Sequence, residues 1–230
     1  MAKRTFDLIF AVCALLVTWP VIVIAAVAVR LTSPGPAFYR ATRAGLNGRA
    51  FDMFKLRTMR LGCDPLERRI TEPADDRITA VGEWLRKFSI DELPQFWNVL
   101  RGDMSVVGPR PEDCGIVHDY YTWEQRRVLS VRPGIVSPAD VRWYPDLTFH
   151  DPPPPDVPLQ EHYLRRHLPA KLAEELRYVA RSSLLLDMIV ICQTLLCIAG
   201  RAWITPQRRP VVVDEDADGR LMTEQGARVE

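Results

Sequence analysis

SIDELPQFWNVLRGDMSVVGPRP, residues 89–111, is the stretch around which the rest of the chain has to be read. The adjacent acids Asp91 and Glu92 open a segment in which Leu93, Phe96, Trp97 and Leu100 fall at i, i+3, i+4 and i+7, the spacing of one helical face. Gly102 reads as the helix stop, and Gly108-Pro109-Arg110-Pro111 as a rigid, extended turn carrying one cation. Two starts are open for this helix. Ser89-x-x-Glu92 fits a capping box, in which both acids simply begin the helix and suit its dipole. Asp91 as N-cap instead places Pro94 in the first turn, where its missing N–H costs nothing.

Immediately upstream, Thr79 is placed to cap a helix whose Val81, Trp84, Leu85 and Phe88 form one apolar face, with Arg86 and Lys87 at its end. Two short helices and a tight corner also describe a helix-turn-helix. An acidic entry to the second helix, few base-reading side chains and a preceding apolar run argue against DNA binding. So does a net charge of +1, from 30 Lys and Arg against 29 Asp and Glu, although the excess of arginine over lysine suits bidentate phosphate contacts. Further upstream, residues 37–43 and 49–57 read as a hairpin turning at Gly45-Leu46-Asn47-Gly48. Alternation along its second strand puts Lys55 and Arg57 on one face, either as an anion site or as a charged strand edge.

Residues 8–29 carry no charge over 22 positions, long enough to reach across a bilayer core. Lys3, Arg4 and Asp7 precede the run, Arg30 follows it, and no small-residue cleavage site comes after, so a retained membrane segment is expected. Pro20, in Thr18-Trp19-Pro20, removes a helical hydrogen bond at mid-depth. The run is then either a kinked span or a re-entrant hairpin returning the chain to the side it came from. Basic residues at both ends tilt toward the hairpin, with Thr18 placed to satisfy a freed carbonyl.

Beyond the central stretch, residues 60–77 read as a polar loop, and residues 120–131 as a helix that Arg132-Pro133-Gly134 ends. Residues 151–158 form a Pro-rich extended loop, and residues 161–183 are helical in composition. Residues 184–199 are apolar but broken by Asp187 and Gln193, and short for a span; a surface-lying helix and a buried core helix both fit. From residue 206 the polar, acid-rich tail is expected to be disordered. Five cysteines show neither metal spacing nor a disulfide framework, which suits a reducing compartment.

Read in order, Lys55-Leu56-Arg57-Thr58-Met59, Leu85-Arg86, Ser89-Ile90-Asp91-Glu92-Leu93-Pro94-Gln95, Asn98-Val99-Leu100, Gly102-Asp103-Met104-Ser105 and Val107-Gly108-Pro109-Arg110-Pro111 resemble the bacterial sugar transferases. More narrowly, the chain is similar to the minimal monotopic phosphoglycosyl transferases, and Arg132-Pro133-Gly134-Ile135 and Leu186-Asp187 extend the likeness over residues 1–202. The resemblance implies an α+β fold, with a re-entrant N-terminal helix broken at Pro20, a small β-hairpin with short amphipathic helices, and surface-lying C-terminal helices. The divisions expected are residues 1–35 for the membrane helix-break-helix, 36–150 for the catalytic core, 151–205 for the loop and interfacial helices, and 206–230 for the tail.

The implied reaction moves a sugar 1-phosphate from a nucleotide diphosphate sugar, usually a UDP-sugar, to polyprenyl phosphate at the cytoplasmic face of the bacterial inner membrane. Asp91 maps to the nucleophile and a magnesium ligand, Glu92 to a base or organiser, and Lys55, Arg57, Arg86 and Arg110 to phosphate neutralisation. Magnesium is the implied cofactor. Membrane lipid is an implied partner, nucleic acid is not, and a homo-oligomer is compatible with the resemblance. Two departures limit it: Trp19-Pro20 stands where Ser-Pro is common, and Val136-Ser137-Pro138-Ala139 where Thr-Gly is usual, so no sugar identity carries over. A non-catalytic membrane-surface scaffold and a nucleotide-sugar hydrolase are the rival functions.

Overall fold

The computed structural model of the chain describes residues 2–62, 75–143, 151–154, 156–201, 213–215 and 221–223. Helix α1 (Ala2–Thr32) is followed by an antiparallel hairpin of β1 (Phe38–Ala44) and β2 (Ala50–Leu56), paired from Phe38 with Leu56 to Ala44 with Ala50. The hairpin turns through Leu46–Gly48, with Asn47 and Gly48 at positive φ (56° and 75°), where Asn and Gly are the residues that tolerate a left-handed backbone. Thr79 caps α2 (Ala80–Lys87) as its sequence position predicts: its Oγ1 accepts from the Gly82 amide at 2.9 Å.

The central stretch departs from both expected helix starts. Asp91 and Glu92 lie in a separate 3-10 turn, Ile90–Glu92, entered from Ser89 in the left-handed region at φ 54°, with no side-chain cap. Helix α3 (Gln95–Arg101) begins only after Pro94, because the proline ends the tight turn more readily than it continues it. Its buried face is Gln95, Asn98 and Val99, while Trp97, expected on the apolar face, is 53% exposed. Asn98 accounts for the rotation. Fully buried, it accepts from the Phe54 amide at 2.9 Å and donates to the Asp52 carbonyl at 2.7 Å, tying α3 to β2. Gly102, at φ 93°, ends α3 as expected.

Two three-residue strands follow that carry too little periodicity to be read from sequence. Strand β3 (Ser105–Val107) pairs in parallel with β4 (Gly134–Val136). Their approach is so close that a Cβ on Gly134 would stand 2.1 Å from the Gly108 nitrogen, so both positions require glycine. The helix expected over 120–131 is displaced: α4 (Cys114–Tyr120) precedes it, capped by Asp113, and Gln125–Ser130 is a 3-10 turn. Helix α5 (Pro138–Arg142) starts at a Ser137 cap with proline in its first turn. α6 (Leu159–His162), a π turn (Tyr163–His167), α7 (Leu168–Arg181) and α8 (Leu184–Arg201) complete the helical part.

In the tail expected to be disordered, Val213–Glu215 pairs antiparallel with Leu221–Thr223. The loop reading of 60–77 lies largely outside the described residues.

Helix α1 is long and apolar enough to cross a membrane, and it is assigned as one helix through Pro20, so the expected interruption is not a break in helical structure. Thr18 Oγ1 donates to the Ala14 carbonyl at 2.7 Å rather than to the Leu16 carbonyl that Pro20 frees, a back-bond that bends helices. Both ends of α1 pack on the protein. Asp7 and Ala11 are buried at one end, and Ala25 and Val29 pack beside Leu56 and Leu85 at the other; Leu16, Val17, Trp19 and Ile24 between them are exposed. Lys3 and Arg4 are not merely flanking charges: Arg4 Nη2 donates to the Val99 carbonyl at 2.7 Å, at the end of α3.

Helix α8 is buried on one face and exposed on the other, so the buried-core reading holds for one side. Asp187, Val190 and Ile191 are buried in the core, while Leu185, Met188, Leu195 and Leu196 are exposed. Asp187 is wholly buried, with Lys3 Nζ at 2.8 Å and the Tyr178 hydroxyl at 2.6 Å. Asp187→Ala is expected to destabilise the fold by roughly 3 kcal/mol, because it strips the buried cluster of a partner. Thermal unfolding in detergent checks this, and an unchanged midpoint would contradict the structural role given to the pair.

Candidate active site

The 3-10 turn holding Asp91 and Glu92 lies between the end of α2, strand β2 and the arm that leaves β3, so cations from three separate segments converge on two adjacent acids. Lys55, near the end of β2, has its Nζ 2.7 Å from Glu92 Oε1. Arg110, on the arm after β3, has Nη2 3.2 Å from the same oxygen and Nη1 2.8 Å from Asp140 Oδ2 on α5. Arg86, at the end of α2, is fixed by its Nε on Thr58 Oγ1 at 2.8 Å and adds its charge beside Asp91. The structure thus brings Asp91, Glu92, Lys55, Arg86 and Arg110 together.

Arg57 does not join them. Buried at 5% exposure, it lies one residue past the end of β2 and turns back to donate to the Pro34 carbonyl and to Ser33, whose carbonyl oxygen is 2.9 Å and Oγ 2.8 Å away. The paired cationic face expected from strand alternation is therefore divided: Lys55 serves the acids, and Arg57 clamps the loop that follows α1. Pro20 lies in the exposed middle of α1 and contributes no group to this cluster.

The two acids differ in kind. Burial pushes Glu92 up, but the charges of Lys55 and Arg110 and their hydrogen bonds outweigh it and hold its carboxyl down at about 2. Asp91 moves the other way. Burial raises it, the neighbouring Glu92 charge adds to the rise, and Lys55, Arg86 and Arg110 oppose it. Among the described residues, no hydrogen bond or ion pair ends on the Asp91 carboxylate, which is 6% exposed. No described group bonds its oxygens, whereas Glu92 Oε1 takes both Lys55 and Arg110. A metal ion on Asp91 would lower its pKa; in the polypeptide itself burial sets the opposite direction.

Sequence reasoning passed over Asp140, Ser137 and Glu175, which hold Arg110 from behind. Glu175 Oε1 accepts from the Arg110 amide at 2.9 Å and from Ser137 Oγ at 3.1 Å. Asp140, then Glu92, keeps the Arg110 guanidinium firmly protonated. Ser137-Pro138, an N-cap followed by a first-turn proline, was the available signal for the helix that carries Asp140.

Comparison with known proteins places the chain in a family. A family model described as "Bacterial sugar transferase" matches residues 1–201. The chain belongs to the bacterial sugar transferase family. Among its relatives, the UDP-glucose:undecaprenyl-phosphate glucose-1-phosphate transferase of Caulobacter vibrioides is 45% identical over 146 residues, 62% of this chain and 54% of the relative. The protein of that name from Xanthomonas campestris pv. campestris is 38% identical over 207 residues, 87% of this chain and 39% of the relative. The exopolysaccharide production protein PSS of Rhizobium leguminosarum bv. phaseoli is 35% identical over 198 residues, covering 84% and 92%. This family member thus spans about half or less of the length of the first two relatives.

Glu175 gives the site a pH signature. Burial lifts its carboxyl to about 7, against the Arg110 amide and Lys171 that favour its charge. With a folded pKa above the unfolded one, this group's stabilisation is full below about pH 4.5 and is lost as pH rises through about 7. Glu175→Gln keeps the acceptor for the Arg110 amide but cannot ionise. Its stability relative to wild type is therefore expected to climb by up to about 3 kcal/mol between pH 4.5 and pH 8. Denaturation midpoints of both proteins across that range test this; a constant offset would contradict it.

Proposed function

We propose that this protein transfers a sugar 1-phosphate from a UDP-sugar to polyprenyl phosphate, releasing UMP, through a covalent aspartyl-phosphosugar intermediate on Asp91. The observation that carries the proposal is the buried, uncommitted Asp91 carboxylate ringed by Lys55, Arg86 and Arg110. The names of the Caulobacter and Xanthomonas relatives supply the donor and acceptor classes. In the first step an Asp91 oxygen attacks the phosphorus that carries the sugar, the bond to the UMP oxygen breaks, and UMP leaves with the electron pair. In the second, a polyprenyl phosphate oxygen attacks the same phosphorus and Asp91 departs as carboxylate. Lys55, Arg86 and Arg110 offset the charge of the phosphates that must meet there.

Glu92, held near pKa 2, is a poor general base; its role is to fix Lys55 and Arg110 in place. The uncommitted oxygens of Asp91 also suit magnesium, which is held through one or two carboxylates together with substrate phosphates and would supply further charge neutralisation when bound.

The membrane part of the proposal is a re-entrant α1 that enters from and returns to the cytoplasmic side of the inner membrane. Three features support it: Pro20 at mid-helix, the Thr18 back-bond beside it, and helix ends that both pack on the protein while the apolar middle is bare. A polyprenyl phosphate keeps its head group at that interface, so a site anchored there meets the acceptor without extracting it.

Radiolabel from a panel of UDP-sugars, UDP-glucose first, is expected to pass into the lipid phase of a polyprenyl phosphate extract with magnesium. Asp91→Asn is expected to reduce transfer by at least about a thousandfold, and Glu92→Gln by roughly 10- to 100-fold through misplaced cations. Denatured wild type quenched without acceptor should retain label that Asp91→Asn does not. A fully active Asp91→Asn enzyme would remove the nucleophile assignment, UMP release without labelled lipid would favour a hydrolase, and a wild type inert with every donor would favour the scaffold.

A further inference from the structure

The Pro-rich loop before α6 closes on a second group of ligand-type side chains. His162 Nε2 lies 3.3 Å, and His167 Nε2 3.7 Å, from Asp151 Oδ2. The same two nitrogens stand 3.1 Å and 2.9 Å from the Asp151 main-chain oxygen. Both histidines are buried, at 7% and 2% exposure, with their rings edge-on at 4.7 Å. Positions five apart on an α-helix diverge by about 140°, at about 100° per residue. They converge here because the backbone between them is a π turn, Tyr163–His167, closed by the Leu168 amide on the Tyr163 carbonyl. Such turns are rare and are frequently found at functional sites.

We propose that Asp151, His162 and His167 form a binding site for a first-row divalent transition ion, with Zn2+ the best-suited member. Two imidazoles and a carboxylate are a zinc donor set and a poor one for magnesium. Ligands about 2.0–2.2 Å from a tetrahedral ion stand roughly 3.3–3.6 Å from one another. The 3.3 Å and 3.7 Å separations between the imidazole nitrogens and the carboxylate are close to that spacing, and the three ligand atoms all lie within 4.8 Å of one another. Asp151, with its side chain 38% exposed, borders an open groove of about 360 Å³ shared with Pro152, Pro154 and Glu161, which gives an ion its entry path. The ion displaces the Nε2 protons that would otherwise point at the carbonyl, and it clasps the Pro-rich loop to the helix. Tyr163, in the same turn, donates to Glu112 Oε2 at 2.6 Å, so the clasp also steadies the arm that carries Arg110.

The test is a Zn2+ titration of the full chain in nanodiscs, with any affinity tag removed and trace metal stripped by chelator. One Zn2+ per chain is expected, and about 100-fold weaker binding in the double variant His162→Gln, His167→Gln. X-ray absorption of the zinc-loaded wild type should show two imidazoles and oxygen ligands at about 2.0–2.2 Å, a readout that stands even if the variant does not fold. Sub-stoichiometric uptake by wild type, equal binding by the variant, or sulfur ligands at the zinc would each overturn the proposal.

Discussion

One lysine holding two buried carboxylates is the constraint from which the rest of the molecule takes its shape. Lys3 Nζ lies 2.8 Å from Asp187 Oδ2 and 3.5 Å from Asp7 Oδ1, and it also donates to the Val107 carbonyl. Asp7 further accepts from Ser105 Oγ at 2.8 Å and from the Val106 amide at 3.1 Å, and the Tyr178 hydroxyl donates to Asp187. Burying two carboxylates costs several kcal/mol each unless donors or a counter-charge compensate them. Here Asp187 Oδ2 accepts no hydrogen bond and relies on the Lys3 charge, while the other three oxygens find donors, and this compensation exists only when α1, β3, α7 and α8 are all in place. The cluster therefore locks both apolar helices to one short strand, and that strand leads directly into Gly108, Pro109 and Arg110.

The second constraint is a division between neighbours. Had both acids been paired, the site would be a salt-bridge cluster and nothing more; had neither been, two buried carboxylates would have faced each other without compensation. Placing them in a 3-10 turn after a left-handed Ser89 sends Glu92 to Lys55 and Arg110 and leaves Asp91 among Lys55, Arg86 and Arg110, none of which bonds it. Backbone strain at Ser89 is tolerable because α2 and α3 are anchored on either side, by Thr79 and Asn98.

What could be read in the chain and what could not follows from the range of the interactions. The hairpin turn, the Thr79 cap and the Gly102 stop are local and were legible, as was the gathering of Asp91, Glu92, Lys55, Arg86 and Arg110 through the family pattern. Asp7 and Asp187 looked like a flanking charge and a blemish in an apolar run, because their shared partner lies far from Asp187 in sequence. Arg57 looked like a partner of Lys55 because alternation counts residues, whereas the strand ends at Leu56 and frees the next side chain to turn away. The pairing of β3 with β4 had no signal beyond two glycines, and His162 and His167 share a face only because the helix between them is over-wide.

Under the proposed reaction these constraints meet at Arg110. Its amide rests on Glu175, its guanidinium bridges Glu92 and Asp140, and its arm begins at the strand that fixes α1 and α8. In the proposed reading, the exposed apolar faces of those two helices set the depth in lipid, so that depth and the position of Arg110 depend on the same strand. A rigid link of this kind matters for two anionic substrates, one of them confined to the bilayer surface. Neither can be drawn in by moving the site, so the charge that neutralises them has to be at the right height before they arrive.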